Sequence, residues 1–300
     1  MRMKRIAVFL VVILLTSICT AGVALANTQN SDKTWRSPKY GGTLTLVTVD
    51  EPTTMDTLQV TTGMYDHMYI SEPPVMVTPE GNYERAGWLK SFSMSPDEKT
   101  WTFQIKKGVK FHDGTKLDAE AFAWILKKRK KDKDIYSTPL WTVPAENITV
   151  LDEYTLQLKQ TNPNPNLYAS FSSPVWLGGM RTPKAVEKYG KDYGSAEAYG
   201  NGPFKFVEWV KGDYMKLTRN EDYDWAPTFI NHQGPPYLKN VVIKYVSEKT
   251  TQIQMLKAGK ADALLDVPPM YADQLKKNED INVSTIPTTN LYTVEYNVEN

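Results

Sequence analysis

Several stretches of the chain alternate between apolar and polar residues, and this two-residue period predicts β-strands. Residues 43–49 alternate in this way and are rich in β-branched side chains. Residues 101–106 alternate more clearly, with Trp101, Phe103 and Ile105 on one face. Two further pairs of stretches flank short polar turns and predict β-hairpins, residues 148–151 with 155–159 and residues 204–210 with 214–219.

A helical period replaces this alternation after Asp118, which is predicted to cap the helix at its N-terminus. Phe122, Ile125 and Leu126 follow at helical spacing, and the helix ends in the basic run 127–131. A basic run can contact nucleic acid or a membrane. We favour a simpler interpretation, in which the cations offset the helix dipole and face the solvent, because Asp132 and Asp134 dilute the charge.

The last third of the chain alternates between strand and helix patterns. These predict strands over 241–246, 263–266 and 283–286, with helices over 249–258 and 269–277 between them. This order predicts a partly parallel sheet with crossover helices, and therefore an α/β fold. Residues 292–298 form one more predicted strand.

The N-terminal segment is typical of a secretory signal. Basic residues precede the apolar run 6–15, and small residues lead to Ala26. The run is short for a membrane span, so we expect cleavage after residue 26, a flexible lead-in over 27–39 and a periplasmic protein. An uncleaved anchor helix and lipid attachment at Cys19 are the alternatives. Ile18 disfavours the second, because it is bulky where a lipoprotein signal has a small residue.

Charge and cysteine content narrow the function further. The signal carries three of the 35 basic residues and none of the 34 acidic ones, so residues 27–300 have a net charge of −2. This balance gives no reason to expect a nucleic-acid partner. Cys19 is the single cysteine, so neither disulfides nor thiolate chemistry are expected after cleavage.

The sequence offers no pattern for catalysis. His67, His112 and His232 are far apart and lack zinc-ligand spacing. There is no nucleophile elbow and no P-loop, and residues 200–202 precede Pro203, which predicts a turn. We therefore predict no catalytic residue, no metal and no cofactor. The 8 Trp and 17 Tyr are consistent with core packing or with the walls of a ligand pocket.

Five segments in order carry a family resemblance. The longest runs from Trp88 to Gly114, and the others are residues 41–44, 201–209, 219–225 and 256–262. Together they resemble the family 5 extracytoplasmic solute-binding proteins, which serve ABC importers for peptides, nickel complexes and some oligosaccharides. The resemblance covers essentially all of residues 40–300.

The resemblance implies a periplasmic binding protein-like fold of two lobes, with an extra accessory domain on the first. The first lobe would comprise residues 40–71 and 200–288, the accessory domain residues 72–199, and the second lobe would begin with residues 289–300. Family members are longer, so we expect this chain to lack most of the second lobe. The segment 88–114 would stabilise the accessory domain rather than bind ligand.

The resemblance also implies a function. The protein would be a monomeric receptor without enzymatic activity, which captures a solute and delivers it to membrane permease subunits; peptide is the default ligand. The ligand-binding positions it implies are Gln59, Thr61, Tyr65, Trp141, Trp176, Asn290 and Tyr292. The alternatives are an exported hydrolase acting on peptides or glycans, a chaperone that holds peptides, and a cell-surface interaction module.

Overall fold

The computed structural model describes residues 38–57, 64–78, 80–131, 142–164, 166–172, 179–195 and 197–284. The strands in this part are β1 (Thr43–Thr48), β2 (Val75–Val77), β3 (Tyr83–Arg85), β4 (Leu89–Met94), β5 (Thr100–Ile105), β6 (Ile148–Asp152), β7 (Thr155–Lys159), β8 (Phe204–Val210), β9 (Tyr214–Arg219), β10 (Asn240–Tyr245) and β11 (Ala263–Leu264). The helices are α1 (Met64–Ile70), α2 (Ala119–Lys131), α3 (Asn166–Ser170), α4 (Pro183–Tyr189), α5 (Lys249–Lys257) and α6 (Pro269–Lys276).

The first sheet has five strands in the order β11-β1-β10-β9-β8. β1 runs parallel to both of its neighbours, β10 and β11, whereas β10, β9 and β8 are antiparallel. Helix α5 connects β10 to β11 across β1, which confirms the predicted crossover and the partly parallel sheet. The hairpin of β8 and β9 is also confirmed, and Gly212 in its turn has a φ of 77°.

Two strand predictions near the end of the described chain need correction. The strand predicted over 263–266 ends at Leu264, because Asp266 adopts a left-handed backbone conformation with a φ of 58°. The strand predicted over 283–286 is not present at Val283 and Ser284, which are irregular, and its remainder lies outside the described residues. The strand predicted over 292–298 also lies outside them.

The second sheet has four antiparallel strands in the order β4-β5-β7-β6, and α2 packs on it. The predicted N-cap is confirmed, since the Ala121 backbone N–H donates to Asp118 Oδ1 at 2.9 Å. The rings of Trp88 and Phe103 each meet the ring of Phe122 edge-on, with centroids 5.6 and 5.5 Å apart. Much of the aromatic content of segment 88–114 therefore serves core packing.

The two sheets belong to two apolar cores. Leu44, Leu46 and Ile243 are buried in the core of the first sheet. The core around the second sheet also contains Tyr223 and Trp225, from the segment that follows β9. These two residues link a segment placed in the predicted first lobe to the core of the predicted accessory domain.

The basic run at the end of α2 differs from the expected solvated face. Lys127 and Lys131 are exposed, but Arg129 is fully buried. Its Nη2 lies 3.4 Å from the Thr57 carbonyl oxygen. The reason is the helical period, which puts position 129 one turn beyond the buried Ile125. Within the described ranges, no helix combines the length and apolar character needed to cross a membrane.

Candidate functional site

The carboxyl ends of the parallel strands form the candidate site. In open α/β sheets, ligands bind in the crevice outside these strand ends. Here β1 and β10 end at Thr48 and Tyr245, and the chain continues from β1 through Asp50 and Glu51. Glu51 is fixed at this edge, because its Oε1 accepts hydrogen bonds from Trp209 Nε1 at 2.8 Å and from the Gly212 backbone at 2.9 Å.

The predicted ligand-binding residues fall almost entirely outside the described part of the chain. Six of them lie in segments that the structure does not describe: Gln59, Thr61, Trp141, Trp176, Asn290 and Tyr292. Tyr65 lies in α1, but its side chain is likewise outside the description. All seven assignments remain predictions. The structure does describe residues that flank three of these segments.

A buried ion pair anchors the loop after β1. Arg181 Nη1 donates to Asp56 Oδ1 at 2.6 Å, and the two side chains are only 2% and 6% exposed. The Arg181 guanidinium also lies over the Trp124 ring, 5.9 Å from its centroid. Because the partners are 125 residues apart, the pair joins the loop after β1 to the segment that leads into α4. No local sequence pattern indicated this pairing.

Residues 70–72 and 200–202 cross each other closely beside this site. The Gly202 backbone N–H donates to the Ile70 carbonyl at 2.7 Å, and the Glu72 backbone N–H donates to Asn201 Oδ1 at 2.9 Å. A Cβ built on Gly202 would lie 2.6 Å from the Ile70 carbonyl carbon, so a side chain does not fit there. The predicted turn at 200–202 is therefore a tight contact between two backbones, at the point where the two predicted domains would join.

The Glu72 carboxyl group is buried at this crossing. Its Oε1 accepts from the Gly87 backbone N–H at 3.2 Å and its Oε2 accepts from the Tyr223 hydroxyl at 3.1 Å. Burial raises the pKa of Glu72 to about 8, because desolvation disfavours the charged form more than these two donors favour it. Glu72 thus enters the core largely as a neutral acid at neutral pH.

His112 stabilises the other side of the crossing. Its Nδ1 accepts from the Gly200 backbone N–H at 3.3 Å, and its Nε2 contacts the Gly202 carbonyl at 2.9 Å. These partners require the tautomer with the proton on Nε2. Burial lowers the pKa of His112 to about 4, so the ring stays neutral at neutral pH. This histidine therefore stabilises the backbone crossing through both of its ring nitrogens.

Asp66 in α1 faces the strand end of β10. The Tyr245 hydroxyl donates to Asp66 Oδ2 at 2.9 Å, and Asp66 is buried. Desolvation raises the pKa of Asp66 to about 7, and the negative charges of Asp50 and Glu51 add to the effect. Sequence reasoning missed Asp66, because nothing in this short helix of mostly apolar and aromatic residues indicates that its one carboxylate becomes buried.

These buried groups predict how stability depends on pH. The pKa values of Glu72 and Asp66 are raised from 4.5 and 3.8 to about 8 and 7, so their stabilisation is lost as pH rises toward those values. The pKa values of His67 and His112 are lowered from 6.5 to about 4. Keeping these rings neutral therefore adds stability as the pH rises from 4 to 6.5, which offsets the loss from the two acids in that range only. The free energy of unfolding should therefore change little from pH 4.5 to 6.5, and then fall by about 2–3 kcal/mol by pH 8.

Urea titrations across this pH range would measure the effect. Glu72→Gln keeps the shape and hydrogen-bonding capacity of the side chain but does not titrate, so it should remove most of the decline above pH 6.5. A wild-type stability that rises between pH 6.5 and 8 would contradict the assignment.

The described residues contain no cluster of three or more His, Cys, Asp or Glu side chains that could hold a metal ion. The buried polar groups that they do contain mostly hydrogen-bond to one another, across the crossing and at the strand ends. Such an arrangement fixes the relative positions of the segments near the carboxyl ends of the parallel strands.

Comparisons with known proteins give one matching family model and several similar proteins. The model of the bacterial extracellular solute-binding proteins, family 5 (middle region), matches residues 85–300. The glutathione-binding protein GsiB of Salmonella paratyphi A is 28% identical over 200 residues, which cover 66% of this chain. The match covers 37% of GsiB, so the chain spans well under half the length of this relative.

Solved structures share the fold. The ABC transporter-associated periplasmic binding protein DppA from Helicobacter pylori, in complex with the peptide STSA, has a TM-score of 0.67 at 22% identity. This match covers 80% of this chain and 50% of DppA. The oligopeptide-binding protein AppA from Bacillus subtilis, in complex with a nonapeptide, has a TM-score of 0.66 at 23% identity, over 79% of this chain and 46% of AppA. The fold is therefore that of periplasmic binding proteins.

Proposed function

Because this chain belongs to the bacterial extracellular solute-binding proteins of family 5, we propose that it is the solute receptor of an ABC importer. It captures a solute outside the cytoplasmic membrane and delivers it to membrane permease subunits. The family match over residues 85–300 carries this proposal, and the shared fold of periplasmic binding proteins supports it. Capture by closure of two lobes over the ligand needs no chemical step, so the protein acts by binding and not as an enzyme.

The proposed ligand class is peptide. Its support is the ligands of the similar proteins, which are glutathione for GsiB, a short peptide for DppA and a nonapeptide for AppA. An extended peptide can offer its main chain to strand edges while aromatic walls contact its side chains. The residues proposed for this role are Gln59, Thr61, Tyr65, Trp141, Trp176, Asn290 and Tyr292.

The proposal includes location and assembly. Residues 1–26 direct export, and the mature receptor is periplasmic and monomeric. Residues 40–71 and 200–288 form the first lobe, and residues 72–199 form the accessory domain. The close crossing of residues 70–72 and 200–202 supports these boundaries, because two chain segments that pass together between domains must meet at one place.

Thermal unfolding in the presence of ligands tests the function. The purified protein without residues 1–26 should be stabilised by peptides, including glutathione, more than by oligosaccharides or nickel chelates. At a ligand concentration 100 times the Kd, the stabilisation should be about 2.7 kcal/mol and should raise the melting temperature by several degrees. Trp141→Ala and Trp176→Ala should reduce this shift if the two rings line the pocket.

An exported hydrolase would behave differently. It would turn over a peptide or a glycan, and the product of that reaction would be measurable. Measurable turnover, together with no stabilisation by any of the three ligand classes, would overturn the receptor proposal. Stabilisation by oligosaccharides or nickel chelates alone would support the receptor function but would show that its ligand is not a peptide.

A further inference from the structure

A small cavity lies where the segment after β1, the end of α1 and residues 180–200 meet. Its walls include Met55, Thr57, His67, Ser71 and Met180. The space open to the centre of a water molecule is about 10 Å³, which is room for roughly one water. The cavity therefore lies at the same junction as the backbone crossing, directly beside the end of the described segment at Thr57.

His67 is one of the residues that line this cavity, and one of its ring nitrogens lacks a hydrogen-bond partner within the described part of the chain. Its side chain is 1% exposed, and Nε2 has no hydrogen-bond partner within the described part of the chain. Burial lowers the pKa of the His67 imidazole, and a hydrogen bond with the Thr54 backbone offsets part of this shift, as expected when the ring donates to the Thr54 carbonyl. Since Nε2 lacks a partner, Nδ1 is the donor, and Nε2 carries a lone pair.

Such an acceptor is unusual in a folded protein. A buried polar atom without a partner loses the hydrogen bonds that it makes to water in the unfolded chain. The ring cannot satisfy Nε2 by taking a second proton, because burial lowers the pKa of His67 to about 4. A donor of water size is therefore needed in the cavity.

We propose that the cavity holds one buried water molecule, which donates to His67 Nε2 and accepts from the Thr57 hydroxyl. Arg129 Nη2 lies 3.5 Å from Thr57 Oγ1, so the Thr57 hydroxyl oxygen accepts from Arg129. The hydroxyl hydrogen of Thr57 is then available to donate to the water.

Ser71 provides the third contact of this water. Its Oγ donates to the Met180 carbonyl at 3.2 Å and accepts from the Met180 backbone N–H at 2.6 Å. One lone pair remains and can accept the second hydrogen of the water. Three bonds are the usual number for a buried water. The water would thus connect α1 and the loop after β1 with the segment around Met180.

Two measurements on the wild-type protein test this proposal. A crystal structure that resolves ordered solvent should show a single density peak at about 2.7–3.2 Å from both His67 Nε2 and Thr57 Oγ1. Nitrogen-15 NMR of the histidine rings at neutral pH should show the His67 tautomer protonated on Nδ1. An empty cavity, a protein side chain bonded to Nε2, or a proton on Nε2 would each overturn the proposal.

Variants provide an independent test. Thr57→Val is nearly isosteric and removes the hydroxyl, so it should lower the melting temperature by a few degrees and abolish the density peak. His67→Phe should do the same. The double variant should lose less than the sum of the two single losses, because both changes remove bonds of the same water. Additive losses in melting temperature would contradict a shared water. The NMR measurement uses the wild-type protein and therefore does not require any variant to fold.

Discussion

Replacing Gly87 with alanine is expected to destabilise the protein by more than about 4 kcal/mol and to prevent most of it from folding. A Cβ on Gly87 would overlap the Trp225 carbonyl oxygen, and it would lie 2.5 Å from the Ala226 carbonyl carbon. Both obstacles are backbone atoms, so no side-chain rotation can relieve the overlap. Backbone movement would also disturb the bond from Trp225 Nε1 to the Asn201 carbonyl at 3.0 Å.

The matched control is Gly212→Ala in the turn of the β8–β9 hairpin. Gly212 has a φ of 77°, but a Cβ there meets no atom within 4 Å. This variant should lose only about 1 kcal/mol, from backbone strain alone. Soluble yield, circular dichroism and urea midpoints of the two variants would measure the difference. A Gly87→Ala protein as stable as Gly212→Ala would show that the segments around Gly87 and Trp225 are not in close contact.

Replacing Asp56 with asparagine is the second change with a large expected effect, a loss of about 3–5 kcal/mol. It leaves the Arg181 guanidinium buried without its carboxylate, and uncompensated buried charge is strongly destabilising. The double variant Asp56→Leu with Arg181→Met removes both charges and should recover much of the loss, because apolar side chains need no partner.

An exposed ion pair serves as the control. Lys116 and Glu153 are paired at the surface with side chains 60% and 54% exposed, so Glu153→Gln should have little effect on the urea midpoint. Equal losses for Asp56→Asn and Glu153→Gln would contradict the buried character of the Asp56–Arg181 pair. A double variant less stable than Asp56→Asn alone would show that packing around these side chains matters more than their charges.

Local patterns in the sequence predicted the local elements of the fold well. The β8–β9 hairpin was predicted with its observed bounds, because alternation on both sides of a Gly-Asp turn leaves little freedom of register. The start of α2 followed from Asp118, whose side chain caps the first turn. The family resemblance then supplied the fold class, which the comparisons confirm.

Long-range contacts could not be predicted in this way. The Asp56–Arg181 pair and the Glu72–Tyr223 contact join residues 125 and 151 positions apart, and no local period records such a pairing. The burial of Arg129 was missed for a related reason. A basic run at a helix end is usually solvated, but the helical period puts Arg129 on the buried face one turn beyond Ile125, where it meets the loop near Thr57. The ligand-binding positions came from the resemblance alone, and they remain predictions.

The position of β1 between β10 and β11 in the first sheet has a consequence for the order of folding. Thr43 pairs with Asn240, and Leu46 pairs with Ala263, so an early segment of the chain lies between two of its last described strands. During synthesis, β1 has no partner on either edge until more than 190 further residues have been made. The sheet of β4–β7 closes over much shorter loops and can form earlier. A ribosome-bound chain that stops before residue 240 should therefore contain a nascent second sheet but an unpaired, aggregation-prone β1.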